Sequence, residues 1–449
     1  MRRSRTHHKR NTAALVTVLG LALIAPAAAS AQAAPVGQGS ARGAQTAQAV
    51  QAAQSAQEAR RAADRTPPDA AALKAAIAGL PDADSTAALV RVGGEGGSWH
   101  GAAGERDRRT HAAAVGDERF RVGSVTKTFT AAVVLQLVHE GRLSLDGTVQ
   151  RYLPGLLPAS YPDITVAQLL NYTSGLPSPA LPSDFGWLEA HRFTTWGHRQ
   201  LVGLAVRQDM KFQPGTAQDY SNVDYNVLGL LIEKVTHSSY ERQVRERIIE
   251  PLGLSGTYSP GNDPKIHGRH THGYQTVPVK PGKPTKPTKP TKPTNTGKPD
   301  KAGRTRLMDV TDWNQSITWA SGDLISTAGD LEHFMTALFR GEVVPQRELK
   351  LMFSVPPVKQ YGKKDKDAVH SSGLTLSKLP DGTKVWGKSG ARYGYNAGIA
   401  ATSDLRRTLV YSVNSTDAKG DAVNPAVGKI TAAAFAGIGG IGDDAGATS

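Results

Sequence analysis

The 449-residue chain contains no cysteine, which excludes a thiolate nucleophile, Cys-ligated zinc and a disulfide scaffold. It also lacks any apolar run of the ~20 residues that a bilayer span requires. The clearest such run, Ala13 to Ile24, is too short, and the Ala/Gly-rich C-terminal stretch is interrupted by Lys429. No Gly-x-Ser-x-Gly surrounds Ser124, so a nucleophile elbow with a Ser-His-Asp triad is disfavoured. The 13 histidines are scattered. His267, His270 and His272 share a loop, but a chance surface cluster is a better reading than a ligand set. No metal and no cofactor is expected.

The formal charge is +14, and its placement matters more than its size. Arg2, Arg3, Arg5, Lys9 and Arg10 precede the apolar run, and Ala29-Ser30-Ala31 follows it. This is the layout of a signal peptide over residues 1–31, and it predicts export. Residues 32–66 are mostly Ala, Gln, Gly and Arg, a composition that buries too little apolar surface to order itself and reads as a flexible tether. Residues 278–305 carry four consecutive Lys-Pro-Thr repeats from Lys283 to Thr294, and their eight cations face only Asp300. Such a tract favours extended, solvated polyproline II. With these segments set aside, the folded body, residues 67–441 before a tail of 442–449, is close to neutral. A nucleic-acid enzyme is therefore disfavoured, because the basic excess does not lie on a folded face.

Three stretches carry chemistry. In Phe120-Arg121-Val122-Gly123-Ser124-Val125-Thr126-Lys127, apolar residues at Phe129, Val133, Leu135 and Leu137 continue a helical pattern that ends at Gly141. Ser124 therefore opens a helix and shares a face with Lys127. A serine needs a base to become nucleophilic, and an amine serves only if its pKa is lowered, as burial or a second cation would do. Taken alone, Ser-x-x-Lys reads as an N-cap serine followed by a surface lysine. Tyr220-Ser221-Asn222 sits on a loop at a second helix entry, where a phenol can relay a proton and an amide can hold a substrate carbonyl or N–H. Alone, it reads as a Ser cap with a packed Tyr. Val385-Trp386-Gly387-Lys388-Ser389-Gly390-Ala391 ends a β-like run and offers a cation, a hydroxyl and a close-approach glycine; alone, it reads as a hairpin turn.

In this order the three stretches resemble the penicillin-recognising serine hydrolases. The Tyr form of the second stretch points to the class C β-lactamase branch, and the chain is similar to the secreted serine D-alanyl-D-alanine carboxypeptidases of streptomycetes. The likeness runs from about Ala87 to Gly437. It includes Gly141 to Leu157, Leu169-Leu170-Asn171-Tyr172-Thr173-Ser174-Gly175-Leu176, Pro251-Leu252-Gly253-Leu254 and Trp319-Ala320-Ser321-Gly322.

The resemblance implies an α/β fold of the β-lactamase/transpeptidase type, with an antiparallel sheet flanked by helices, a mostly helical lobe and a site between them. Strands are expected near Ala87–Val92, Trp386 and Thr408–Val413, with a terminal helix around Pro425–Gly437. It also implies that Ser124 is acylated, Lys127 accepts its proton, Tyr220 shuttles the proton to the leaving group, Asn222 orients the substrate amide and Lys388 supplies positive potential. Ser389, Gly390, Ala391, Trp319 and Arg392 are the implied substrate-binding positions, with the N–H groups of Ser124 and Ala391 forming the oxyanion hole.

Two positions depart from the carboxypeptidase pattern. Ala391 stands where a Thr hydroxyl would hold a terminal carboxylate, and Leu374–Leu379 offers Ser377 and Lys378 but no Arg. Arg392 or Lys378 is a candidate replacement. The expected acyl donor is a peptidoglycan stem peptide or another small acyl compound. β-Lactamase, esterase or D-amino amidase activity, or a non-catalytic wall-binding role, remain the alternatives. If the Lys-Pro-Thr tract holds the exported protein to an anionic wall polymer, rising salt should release it from isolated walls, and the tract-deleted protein should be released at markedly lower salt. Salt-independent retention would contradict this.

Overall fold

The computed structural model describes residues 66–279 and 305–438, with Gln51 and Ser55 besides. The expected signal peptide, nearly all of the tether, most of the Lys-Pro-Thr insertion and the tail lie outside the described residues. Among the described residues, no helix is long and apolar enough to cross a membrane.

β1 (Ser85–Gly93) is buried at every position except the partly buried Arg91. A strand apolar on both sides needs cover on both faces. Ala87 and Leu89 face the large core, whereas Ala88, Val90 and Val92 face a smaller one. Around β1 forms a seven-stranded, wholly antiparallel sheet, with β2 (Trp99–Asp107), β3 (Ala112–Ala113), β4 (Thr375–Lys378), β5 (Lys384–Arg392), β6 (Tyr395–Thr402) and β7 (Thr408–Ser415). Its spatial order is β4-β5-β6-β7-β1-β2-β3. The strands expected near Ala87, Trp386 and Thr408 are β1, β5 and β7.

The smaller core is closed by α1 (Ala70–Ala76) and α5 (Pro425–Phe435), through Leu73, Val427 and Ile430 among others. α5 is the expected terminal helix. Asn424 caps it by accepting from the Ala426 N–H at 2.9 Å, and Pro425 stands at its first position. The other face carries α2 (Thr126–His139) and α4 (Ala328–Phe339), joined by Phe129 stacked on Phe334 at 3.6 Å between ring centroids. α3 (Asn222–Thr236) packs on α2. Together with shorter helices from the middle of the chain, it builds the helical lobe.

The boundaries of the Lys-Pro-Thr insertion need correction. Tyr274–Pro278 pairs antiparallel with Thr305–Asp309, and Pro278 lies opposite Thr305. The expected ends of the insertion are therefore the paired ends of two strands, and residues 279–304 lie between them.

Two features of β5 position the site. β4 covers it only from Lys384 to Gly387, so Lys388–Arg392 has β6 on one side and no strand on the other among the described residues. Backbone from the start of α2 meets this open edge directly. A Cβ on Gly390 would lie 2.0 Å from the Val122 carbonyl oxygen and 2.7 Å from the Ser124 nitrogen. One on Gly123, which has φ +53, would lie 2.7 Å from the Ala391 nitrogen. Only glycine allows this approach. Gly390→Ala should destabilise the protein by ~1–3 kcal/mol through overpacking and reduce serine acylation far more than the loss of folded protein explains. Denaturant melts compared with penicillin labelling of the folded fraction would check this.

Candidate active site

Ser124 lies in a single 3₁₀ turn, Gly123–Val125, that runs straight into α2. The expected helix entry is therefore present, one tighter turn earlier than the α-helix itself. The three-residue spacing brings the Lys127 Nζ to 3.3 Å from the Ser124 Oγ. Lys127 has no solvent exposure. Its Nζ also donates to the Asn222 Oδ1 at 2.7 Å and to the Ser321 carbonyl at 2.6 Å. Burial drives its pKa well below the ordinary lysine value; Lys388, Lys419 and Arg392 add repulsion, which Asp224 opposes. A neutral amine has two N–H bonds and one lone pair. Two carbonyl-type acceptors use both hydrogens and leave the lone pair for the Ser124 hydroxyl.

The second stretch is held by its own cap. The Ser221 Oγ accepts the Asp224 N–H at 3.2 Å and starts α3, so Tyr220 lies on the entering loop and Asn222 opens the first turn. The Tyr220 ring sits between two amines, 5.0 Å from the Lys127 Nζ and 4.9 Å from the Lys388 Nζ. Its buried hydroxyl lies beside Ser124 and Tyr172 yet meets no partner with proper hydrogen-bond geometry. Burial pushes its pKa upward, against the pull of those neighbours, so Tyr220 rests as a neutral phenol.

The alternation of β5 sorts the third stretch. Val385 belongs to the smaller core and Trp386 to the larger, so Lys388, Gly390 and Arg392 share the Trp386 face toward α2. The Lys388 Nζ donates to the Ser389 carbonyl at 2.8 Å, and burial lowers its pKa to about 7. Ser389 belongs to the opposite face. It borders a cavity of about 80 Å³ beneath α5, together with Gly387, Tyr411 and Thr431. What it gives the site is its carbonyl rather than its hydroxyl. Ala391 supplies a backbone N–H beside that of Ser124, as the two glycine contacts require.

Arg392 is buried at 8% exposure, its Nε has no hydrogen-bond partner among the described residues, and burial and Arg121 lower its pKa to about 10. Lys378, the other candidate for a carboxylate clamp, is exposed on the edge strand β4.

Trp319 is a correction. It is 1% exposed, stacks on His198 at 3.6 Å and donates its Nε1 proton to Glu241. It fills the core against Gly229 of α3, where a Cβ would come within 2.7 Å of its ring, so no substrate can reach it. The stretch serves the site through Ser321, whose carbonyl holds Lys127. A backbone acceptor has no residue signature, and sequence reasoning missed it. Asp224, wholly buried on α3 and raised to about 8 by burial, was also missed. Among the described residues no group of three or more His, Asp and Glu is placed to hold a metal ion.

A family model described as Beta-lactamase matches residues 73–432. The chain belongs to the beta-lactamase family. The chain is similar to penicillin-binding protein 4* of Bacillus subtilis, 26% identical over 66% of this chain and 61% of that relative; it thus spans less than two thirds of the relative's length. The structure is similar to that of a D-stereospecific amidohydrolase from Streptomyces sp., with a TM-score of 0.66 and 32% identity over 82% of this chain and 99% of the other. The D-amino acid amidase from Ochrobactrum anthropi SV3 shares the fold, with a TM-score of 0.63 and 24% identity over 81% and 98% of the two chains.

The lowered amine pKa values set two pH dependences. Lys127 must be neutral to take a proton, so acylation should rise with pH through its depressed pKa. Lys388 loses its charge as pH passes about 7, which should bend the profile downward wherever its positive potential is needed. For stability, the folded-state pKa of Lys388 lies below the unfolded value of ~10.4. The unfolded chain thus binds more protons between the two, so this group's burden on stability is fully present below about 7 and is relieved as pH climbs toward the unfolded value. Lys388→Met should raise the melting temperature most below pH 7, and less as pH rises. An unchanged difference between pH 6 and pH 9 would contradict this assignment.

Proposed function

We propose that the chain is an exported acyl-serine hydrolase that cleaves the amide bond before a C-terminal D-residue, a D-alanyl-D-alanine carboxypeptidase acting on peptidoglycan peptides. The observation that carries this reading is the sign of the cleft. Lys388 and the buried Arg392, whose Nε meets no hydrogen-bond partner among the described residues, share the face of β5 turned toward Ser124, and Lys419 adds to the same positive field. The buried carboxyl of Asp224 is raised to about 8 and offers little negative charge at neutral pH. Such a site suits a substrate that brings a carboxylate and repels one whose nearest charge is a free amine.

Ser124 Oγ attacks the substrate carbonyl while its proton passes to the Lys127 Nζ. The carbonyl oxygen, now negative, is held by the N–H groups of Ser124 and Ala391. Tyr220 carries the proton to the departing amine, the C–N bond breaks, and the terminal D-amino acid leaves. A water molecule then attacks the acyl-serine and gives its proton back along the same path. Asn222 aligns the peptide against the open edge of Lys388–Arg392, and the Arg392 guanidinium draws in the terminal carboxylate in place of the missing Thr and Arg. Export rests on the N-terminal sequence pattern, and retention at the wall on the Lys-Pro-Thr tract.

A second reading is a D-amino acid amidohydrolase, favoured by the 32% identity to the Streptomyces amidohydrolase over nearly the whole of that chain. The two readings predict opposite results. A peptide ending in D-Ala-D-Ala should be cleaved at least 10-fold faster than the same peptide amidated at its C-terminus, an effect of ~1.4 kcal/mol on the barrier. Arg392→Met should remove most of that preference by raising KM for the free acid. Equal rates on acid and amide would favour the amidohydrolase. A fluorescent penicillin should label the parent protein and fail to label Ser124→Ala, which would exclude the non-catalytic binding role; labelling of neither would leave that role open.

A further inference from the structure

Tyr220 must sit between Lys127 and Lys388, yet no hydrogen bond ties its hydroxyl down. Its position is therefore set from behind, and the residues there have no part in the proton transfers. Gln218, two residues before Tyr220, is 2% exposed, and its side-chain amide is fully satisfied. The Nε2 donates to the carbonyls of Asn171 and His370, each at 2.8 Å. The Oε1 accepts the N–H of Val369 at 2.9 Å and of His370 at 3.0 Å. These four bonds join three segments that lie far apart in the chain.

Each segment touches the Tyr220 loop or the Lys388 strand. On one side, Tyr172, fully buried with φ +62, accepts the Asp219 N–H on its carbonyl at 3.0 Å and lays its ring 4.9 Å from that of Tyr220. On the other, the His370 ring lies 5.3 Å from the Tyr220 ring and 5.2 Å from that of Tyr172. The His370 Nδ1 bonds the Thr375 Oγ1 at 2.9 Å. Thr375 opens β4 and pairs with Gly387, the residue before Lys388. Burial and the nearby Lys388 and Lys127 push the His370 pKa to about 3, so the ring walls the pocket without adding positive charge. A non-glycine residue at positive φ persists only where its surroundings over-determine it, and a fully satisfied buried polar network rigidifies what it joins.

We propose that Gln218 is a positioning residue: through His370 and Thr375 it latches the Tyr220 loop of the helical lobe to the Lys388 strand of the sheet, and thereby sets the Tyr220 ring between the two amines. This rests on the reading of Tyr220 as the proton carrier. The latch acts on one step, so its loss should be felt only while Tyr220 has a hydroxyl to deliver.

The test is a double-mutant cycle on penicillin acylation, with melting temperatures taken alongside. Gln218→Met should slow acylation by roughly 10- to 100-fold, the scale of a displaced catalytic group. The same substitution placed on Tyr220→Phe should have little further effect, because coupled positions are not additive. Thr375→Val, which cuts the latch at the partly buried edge strand, should show the same dependence on Tyr220 at smaller size, and it decides the question if Gln218→Met does not fold. An equal fold-loss in both backgrounds, or an undiminished rate in the folded variants, would overturn the latch. If Tyr220→Phe alone acylates like the parent, it is the proton-carrier reading that fails.

Discussion

An amine without solvent exposure, held by the Asn222 side-chain oxygen and the Ser321 carbonyl, is the constraint around which the rest of the molecule is arranged. Removing an ammonium from water is expensive unless it is paired, and a buried lysine escapes that expense by giving up its proton. Here the neighbours encourage it to do so: three further cations act on Lys127, while the buried Asp224 opposes them. The result is a base beside Ser124 made from a residue that is ordinarily an acid at neutral pH. Three segments must meet for this to happen, α2, the entry of α3 and the 3₁₀ turn that ends at Ser321. The helical lobe is the frame that brings them together.

The sheet contributes the complementary half. Because β4 stops at Gly387, the last five residues of β5 keep an unpaired edge, and the two glycines allow that edge to touch the Ser124 turn backbone to backbone. An extended substrate can add itself to such an edge as a further strand, and its carbonyl then meets the N–H groups where charge develops. The base thus comes from α2, while the proposed oxyanion hole takes one N–H from the turn before α2 and the other from the sheet edge. The relative setting of those lobes is a chemical variable, which is why a side-chain latch between them bears on the rate.

Much of the frame was legible in the sequence. The strands at Ala87, Trp386 and Thr408 and the terminal helix were expected from the resemblance, and they are β1, β5, β7 and α5. The pairing of Ser124 with Lys127 follows from helical spacing. The approach of Lys388 and Tyr220 followed only from resemblance, since nothing local in either stretch says that they meet. Two kinds of residue escaped, and two residues were misplaced. The Ser321 carbonyl is backbone, and any residue supplies one. Gln218 and His370 act by bonds between segments some 150 residues apart in sequence, a separation that composition and periodicity cannot see. Trp319 was misplaced because a large aromatic in a matching stretch looks like a ligand wall, whereas the neighbouring Gly229 leaves room for it in the core. Ser389 was misplaced by one step of strand alternation.

Stability and chemistry pull against each other at this site. Lys388 and Arg392 would each be more comfortable with a carboxylate partner, and the buried Asp224 is raised to about 8 and cannot neutralise them at ordinary pH. A true counter-ion would stabilise the fold, but it would also restore the proton to Lys127 and fill the place of an incoming anion. Without one, Lys388 and Arg392 help to keep Lys127 unprotonated, and under the proposed function their attraction is left to be satisfied by substrate. Binding then does part of the work of folding, and an anionic ligand in the cleft relieves repulsion that the empty protein must carry. Under the proposed function, the same unpaired charge that weakens the free protein would give the cleft its preference for a carboxylate.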